Sequence, residues 1–529
     1  MPAPVDRRPR VLVADPIAPA GLELLEGTAA VDVRLKLSEQ ELAELIPSYA
    51  ALLVRSETRV TAAVIEAASQ LRVIGRAGVG VDNIDVEAAT RRGILVVNAP
   101  TGNTVAAAEH TLALMLALAR NIPQGDSSLR QGRWDRSRLV GTELHGKTLL
   151  VVGLGKIGAE LARMVMGLQM RVLAFDPLVA PERGHQLGVE LVALDEGLGR
   201  ADFVTVHTPL TDATRGLIGT RELALLPQGA RVLNVGRGGI VDEGAVAAAV
   251  ASGHLAGAAF DVFTKEPPPP DHPLLQDPRI LVTPHLGAST VEAQLSVATD
   301  VAAQVRDVLE GRPARWAVNS PPVSPEEASV VVPYQDLAWR LGSLWAQLGG
   351  GKVRAVELEY RGDVAHVQPA AITASALGGL LRHFSHDPVT PVNAQAIASG
   401  HGIAVRERRV QDAGASSLRL RVDGEGAGEI EGAVVLGEPR VIRLEGLPVD
   451  LVPRGRLLVL RHLDRPGLIG ELGRLLGEAN VNIAEMRVGR DSPRGRAVTA
   501  LSLDDAVPEE VGDRLRAIPG VESAWLVEL

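Results

Sequence analysis

The chain has 529 residues, 46% of them apolar, and a formal net charge of −10. That acidic balance argues against general affinity for nucleic acid or anionic membranes, and the lack of cysteine excludes disulfides, thiolate nucleophiles and cysteine-bound metals. The length is that of several domains, whose cores Ala, Val, Leu and Gly must fill because only 2% of residues are aromatic. The N-terminal MPAPVDRRPRVLVAD has an apolar run too short for a signal peptide, and the longest apolar helix, residues 111–119, falls short of a membrane span. A soluble, cytoplasmic protein with no metal site is expected.

Strand patterns occur at 10–15, 51–54, 72–75 and 94–98, with helical spacing at 20–26, 39–46, 61–69 and 85–92. Repeated βα units imply a parallel sheet with helices on both faces. This first unit lacks a dinucleotide fingerprint but carries RAGVGVDNID at 76–85. There Gly78 and Gly80 could let backbone N–H groups face an anion beside Arg55 and Arg76; an ordinary βα turn with surface arginines is the competing reading. A long helix is expected over 103–120. The polar loop after it, 132–146, carries Trp134, Arg136 and Arg138, either an interface anchor or a reach into a neighbouring subunit's site.

Residues 148–176, TLLVVGLGKIGAELARMVMGLQMRVLAFD, carry the strongest signal. A buried strand, 148–152, runs into Gly153, Gly155 and Gly158 in G-x-G-x-x-G spacing, and a helix opens behind them. The first glycine permits the tight turn, the second lets a pyrophosphate approach, and the third lets helix pack on strand. A second strand, 171–175, ends at Asp176, where a carboxylate can bond a ribose diol and would repel a 2′-phosphate. NAD is therefore favoured over NADP.

The alternation resumes with strands at 203–207, 231–235, 257–260 and 280–283 and helices at 220–226, 242–251 and 290–310. Ligands of open α/β sheets gather outside the carboxyl ends of strands. The polar residues at these ends are Asp176, Thr208, Arg237, Asp261 and His285. His285 can exchange an alcohol proton as hydride leaves the carbon, Glu266 can stabilise the resulting imidazolium, and Arg237 offers a planar fork for a carboxylate. Singly, each residue has a bland alternative as a cap or a surface charge.

Residues 313–327 read as a linker, followed by a helix at 334–350. Strands are expected at 353–360, 403–409, 417–422, 431–436 and 440–444, with helices near 371–384 and 392–399, giving an α+β domain. LVPRG at 451–455 reads as a second linker. The remainder is a ferredoxin-like βαββαβ unit: strand 457–463, helix 466–478 with Pro466 in its first turn, strands 481–489 and 496–503, helix 508–516 and strand 521–528.

GLGKIG, HTPLT, NVGRGGIVDE, AAFDVFTKEP and TPHLGAST together resemble the D-isomer-specific 2-hydroxyacid dehydrogenase family. RAGVGVDNID and LDRPGLIGELGRLLGEANVNI narrow the resemblance to the long-form branch, with an intervening domain and a C-terminal ACT domain, that oxidises 3-phospho-D-glycerate. The resemblance implies two Rossmann-like lobes, a substrate lobe of 1–98 plus 288–316 and an NAD lobe of 99–287. It further implies an intervening α+β domain at 317–453 and an ACT domain at 454–529. It implies Arg237, Glu266 and His285 as the catalytic set. NAD contacts are implied for Gly153, Gly155, Lys156, Ile157, Gly158, Asp176, Thr208, Val235, Gly236, Arg237, Asp261, His285, Leu286, Gly287 and Ala288. Arg55, Arg76, Ala77, Gly78, Val79, Gly80, Asn103, Trp134, Arg136, Arg237 and His285 would frame the substrate, with Trp134 and nearby arginines supplied across a dimer.

For the ACT domain, the resemblance implies L-serine feedback through His462, Asp464, Gly467 and Asn482, against a purely structural dimerisation module. A homotetramer built as a dimer of dimers and a side activity on 2-oxoglutarate are also implied. Reductases for glyoxylate or 2-oxoglutarate, and an NAD-sensing binding protein of the corepressor type, remain competing readings at this point.

Overall fold

The computed structural model describes residues 8–324, 326–349, 351–385, 388–411, 414–426 and 428–529. The first seven residues of the N-terminal stretch, residue 325 of the expected first linker and the expected helix end at 350 lie outside them. The chain forms two compact units, one of Ala99–Asp300 and one of the segment to Asn98 together with Val301–Leu529.

In the second of these units, β1 (Arg10–Val13), β2 (Ala30–Val33), β3 (Ala51–Val54), β4 (Val73–Arg76) and β5 (Leu95–Asn98) form a parallel sheet in the order β2-β1-β3-β4-β5. β3 is buried at every residue, as a central strand between two helix layers must be. β2 is absent from the sequence reading; it is an edge strand and none of its four residues is buried, so AVDV shows no apolar run. The segment 313–327 is no free linker. Ala317 bridges Val97, and Asn319 caps β5 by accepting from Val96 N (2.8 Å) and donating to the Ile94 carbonyl (2.9 Å).

The unit Ala99–Asp300 holds β6 (Thr148–Val152), β7 (Arg171–Phe175), β8 (Glu190–Leu191), β9 (Phe203–Val206), β10 (Ala230–Asn234), β11 (Leu255–Phe260) and β12 (Ile280–Val282). All pair in parallel in the order β12-β11-β10-β9-β6-β7-β8, so the chain reverses direction across the sheet between β6 and β9. Three helices here, Ile122–Arg130, Pro181–Leu187 and Leu194–Arg200, are missing from the sequence reading. Each contains glycine, and two also contain proline, which weakens the helical pattern. Two of the glycines serve packing: a Cβ on Gly197 would lie 2.7 Å from a Leu150 methyl, and one on Gly184 would lie 2.8 Å from Leu191 Cγ.

Further along, helix Ala328–Gly349 begins at Ala328 and not at 334, and carries Pro333 inside it. Its buried face (Leu337, Leu341, Leu344, Trp345) packs with helix Ala370–Leu381 on a sheet ordered β14-β13-β15-β16-β17-β18. These strands are β13 (Val353–Arg361), β14 (Ala404–Val410), β15 (Ser417–Gly424), β16 (Gly428–Val435), β17 (Glu438–Leu444) and β18 (Leu447–Leu451). β18 takes the start of the expected second linker, leaving 452–455 to join β19 (Arg456–Leu463).

β19 pairs antiparallel with β21 (Arg496–Leu503) and β22 (Val521–Glu528), and β20 (Ile483–Arg490) pairs with β21, in the order β20-β21-β19-β22. That is the ferredoxin-like arrangement. Its helix starts at Leu468 behind Gly467, so Pro466 precedes the first turn. Leu457, Val459, Val498, Ala500 and Val527 of this sheet enter the same apolar core as Leu337, Trp345 and Leu358. The two modules thus share one hydrophobic interior, and the short link between them is held as Gly455 and Leu529 exchange backbone bonds (3.1 and 2.9 Å).

Candidate active site

The reversal between β6 and β9 leaves a crevice at the strand carboxyl ends, and the glycine fingerprint lies in it. Gly153 takes φ 96°, the turn that carries β6 into helix Lys156–Gly167. A Cβ on Gly158 would fall 2.2 Å from the Gly153 carbonyl oxygen, so helix and strand can meet only with glycine there. Among the described residues, nothing lies within 4 Å of the missing Cβ of Gly155 and no side chain caps the helix it opens. A helix N-terminus facing open space suits a pyrophosphate. Beside this loop, Thr208 Oγ1 and His207 Nδ1 are buried without partners among the described residues. Burial pushes the His207 imidazole down to about 4, so the ring is neutral at ordinary pH. Orphaned polar atoms at a glycine cradle are what a bound dinucleotide would satisfy, and NAD fits the set. Asp176 closes the far side, its two oxygens accepting from Leu154 N and Leu178 N, each at 2.9 Å.

Following the rim from β9 to β12 brings the remaining residues together. A Cβ on Gly236 would lie 2.8 Å from the Val206 carbonyl oxygen, which seats the Arg237 turn on the end of β9. Arg237 donates from its guanidinium to the Gly236 carbonyl (2.8 Å), and Asn234 donates to the Arg237 carbonyl (2.9 Å). Gly238 lies against the loop after β11, its missing Cβ only 1.9 Å from the Phe263 carbonyl oxygen. That loop carries Glu266, whose Oε1 accepts from Phe263 N (3.0 Å) while Oε2 meets His285 Nδ1 at 2.8 Å. Burial acts to raise the Glu266 carboxyl, but the bonds from His285 and Phe263 N–H outweigh it and hold the group below its ordinary value. An ionised carboxylate so placed stabilises the charge that imidazole gains when it accepts a proton at Nε2.

Asp261 is wholly buried beneath the 285–287 turn. It accepts from Thr283 Oγ1 (2.5 Å), Leu286 N (2.7 Å) and Gly287 N (2.8 Å), and lies 3.2 Å from His110 Nε2. Burial opposes its charge, yet His110, Thr283 and Leu286 N–H together keep its carboxyl below the usual value. Sequence alone does not single out His110, because one histidine in an apolar helix carries no spacing signal. Val235 also borders the turn, 3.6 Å from a Cβ built on Gly287.

Arg55 and the Arg76–Gly80 turn sit at the carboxyl ends of β3 and β4, adjacent strands in which Val54 pairs with Arg76. A Cβ on Gly78 would strike the Arg76 guanidinium, so the side chain folds back over its own turn. Buried Asp15, after β1, accepts from Arg55 N (2.5 Å), Thr58 N (3.2 Å) and Thr58 Oγ1 (2.5 Å) and fixes the backbone that presents Arg55. In the other unit, Asn103 precedes helix Thr104–Ala119, with its Oδ1 buried and unpartnered among the described residues. Trp134 is 81% exposed and Arg136 is exposed too, so nothing among the described residues covers the indole.

The four effector candidates are not brought together within one chain. His462 is 3% exposed inside β19, with Nε2 bonded to Thr499 Oγ1 (2.7 Å) and Nδ1 to the Leu463 carbonyl (3.0 Å), leaving neither nitrogen for a ligand. Asp464 accepts from Arg490 (2.8 Å) and Arg494 N (3.2 Å) near Gly467, which has open space at its missing Cβ. Asn482 bonds Asp504 (2.6 Å) beyond the far end of helix Leu468–Glu478, which separates it from Gly467 by about 16 Å at 1.5 Å per residue.

Comparison with known proteins matches three stretches of the chain to known families. Residues 112–287 match the NAD-binding domain of the D-isomer specific 2-hydroxyacid dehydrogenases, 330–445 the D-3-phosphoglycerate dehydrogenase intervening domain, and 456–520 the ACT domain. The chain is similar to D-3-phosphoglycerate dehydrogenase of Synechocystis sp., 45% identical over 526 residues, covering 98% of this chain and 95% of the relative. It is also similar to the enzyme of that name from Archaeoglobus fulgidus, with 42% identity over 98% of this chain and 100% of the relative. Among solved structures, the TT0316 protein of Thermus thermophilus superposes with a TM-score of 0.55 and 37% identity, covering 58% of this chain and 99% of that one.

Proposed function

The chain belongs to the D-3-phosphoglycerate dehydrogenases of the D-isomer specific 2-hydroxyacid dehydrogenase family, and from that premise we propose that Arg237, Glu266 and His285 carry out the NAD-dependent oxidation of 3-phospho-D-glycerate to 3-phosphohydroxypyruvate, the opening step of phosphorylated L-serine synthesis. The observation that carries the assignment of roles is the 2.8 Å bond between His285 Nδ1 and an ionised Glu266, on a loop packed directly against the Arg237 turn. Bound NAD would supply the hydride acceptor. His285 Nε2 takes the C2 hydroxyl proton, Glu266 stabilises the imidazolium, and Arg237 grips the substrate carboxylate with a planar fork. Arg55, Arg76 and the backbone of 77–80 are assigned the phosphate, Asn103 a substrate hydrogen bond, and Trp134 with Arg136 contact with a second copy. A side activity reducing 2-oxoglutarate is expected as well, since two arginines that hold a phosphate can hold a distal carboxylate.

With NADH, pure protein should reduce phosphohydroxypyruvate at least about a hundredfold more efficiently in kcat/KM than unphosphorylated hydroxypyruvate, the worth of about two charge-assisted hydrogen bonds. Similar efficiencies would remove the phosphate assignment. No reduction of any 2-oxoacid would favour a binding protein on this fold.

The ACT module fits feedback by an amino acid, and L-serine is the effector proposed. Asp464 and Gly467 of one copy would meet Asn482 of another, which requires a homo-oligomer, here a dimer of dimers in the cytoplasm. No helix among the described residues is long and apolar enough to cross a membrane. Isothermal titration with L-serine should give saturable heat that Asn482→Ala abolishes. No heat and no inhibition at millimolar serine would leave the module structural or tuned to another ligand.

A further inference from the structure

Three elements converge beneath His285: helix Thr104–Ala119, the end of β11 and the turn after β12. His285 has φ 55°, a left-handed conformation uncommon for residues with a Cβ, and it persists only where its surroundings over-determine it. Here the determinant is Asp261. Its carbonyl accepts from His285 N (2.9 Å), and its carboxylate accepts from the next two backbone N–H groups, Leu286 and Gly287. Asp261 thus holds the turn from which the imidazole projects, while Glu266 holds the ring itself at Nδ1.

Asp261 is itself held from the opposite side. Thr283 Oγ1 gives its proton to Asp261 Oδ1 across 2.5 Å, so His110 Nε2, 3.2 Å from both atoms, serves as an N–H donor to that oxygen. His110 reaches it from mid-helix, on the same face as Ala107, which lies 3.9 Å from a Cβ built on Gly287. An anion with no solvent contact depends on every donor it has. We propose that His110 is a positioning residue for hydride transfer: its Nε2–H fixes the Asp261 carboxylate, and through it the 285–287 turn that aims His285. The inference rests on His285 being the acid/base of the proposed reaction.

The test is a matched pair. The Nε2 of glutamine stands as many bonds from the backbone as the Nε2 of histidine, whereas the asparagine amide stops one bond short. His110→Asn should lower kcat for phosphohydroxypyruvate about ten- to a hundredfold, the scale of misaimed catalytic groups, with KM for NADH within about twofold of the parent. His110→Gln should restore kcat to within about threefold of the parent. A His110→Asn enzyme with parental kcat would overturn the proposal, as would a His110→Gln enzyme as slow as His110→Asn. His285→Asn, assayed alongside, tests the underlying reading by itself: full activity there removes His285 from the chemistry whatever the His110 pair shows.

Discussion

Replacing His285 by asparagine should lower kcat by about 10²–10⁴-fold, the range associated with loss of a general acid–base group. The choice of asparagine follows from the backbone. His285 sits at φ 55°, and asparagine accepts the left-handed region far better than alanine or any β-branched residue. The turn, its three N–H bonds to Asp261 and the cradle around Gly155 should all survive, so NADH binding followed by fluorescence should stay near the parental value. What goes is a ring that can take a proton at Nε2 while its other nitrogen rests on Glu266. Glu266 is kept ionised by the bonds from His285 and Phe263 N–H, so in the parent enzyme the negative partner is already in place when the proton arrives. Because kcat and cofactor binding are read separately, a fall in both would point to a collapsed turn and not to lost chemistry. Activity within about tenfold of the parent would exclude His285 as the acid/base.

Those parts of the molecule in which one local pattern decides the structure were readable in the chain. Gly153, Gly155 and Gly158 follow an apolar strand and open a helix, so spacing alone placed them at a nucleotide crevice. Strand ends were equally legible: Arg237, Glu266 and His285 each follow a strand of one parallel sheet, and such a sheet gathers its carboxyl ends on one edge. What could not be read depends on contacts between distant segments. β2 lies at a sheet edge with no buried residue, and helix Ile122–Arg130 begins with a proline-containing turn behind left-handed Asn121. Asp15 looked like a strand terminus, although its carboxylate organises the loop that presents Arg55. His110 joins Asp261 across 151 residues, a pairing that no periodicity announces. His462 went the other way. A histidine at a strand end invites a ligand role, but its strand register buries it and Thr499 takes its free nitrogen.

Gly238→Ala should be nearly as damaging as loss of an acid–base residue, though the methyl group touches no substrate. Its Cβ would fall 1.9 Å from the Phe263 carbonyl oxygen, 2.1 Å from the carbonyl carbon and 2.6 Å from Thr264 N. All three are backbone atoms, so no side chain can rotate aside. Either the turn bearing Arg237 or the loop bearing Glu266 must move, by about 1 Å or more to restore van der Waals distance. The loop cannot yield cheaply: Glu243 binds Thr264 through both N (2.6 Å) and Oγ1 (2.8 Å), and His272 Nε2 lies 3.0 Å from the other Glu243 oxygen. Displacement therefore separates Arg237 from the Glu266–His285 pair, and misplacement of about 1 Å can cost about 10²-fold in rate. The expected result is a fall in kcat/KM of that order, with a raised KM for the 2-oxoacid and a KM for NADH much closer to the parent, since the glycine cradle lies on the other side of β9. Gly155→Ala supplies the contrast. Nothing among the described residues stands within 4 Å of its Cβ, so that substitution should leave the fold intact and weaken NADH binding instead. If Gly238→Ala shows parental kinetics, the Arg237 turn and the Glu266 loop are not held in the contact that this mechanism requires.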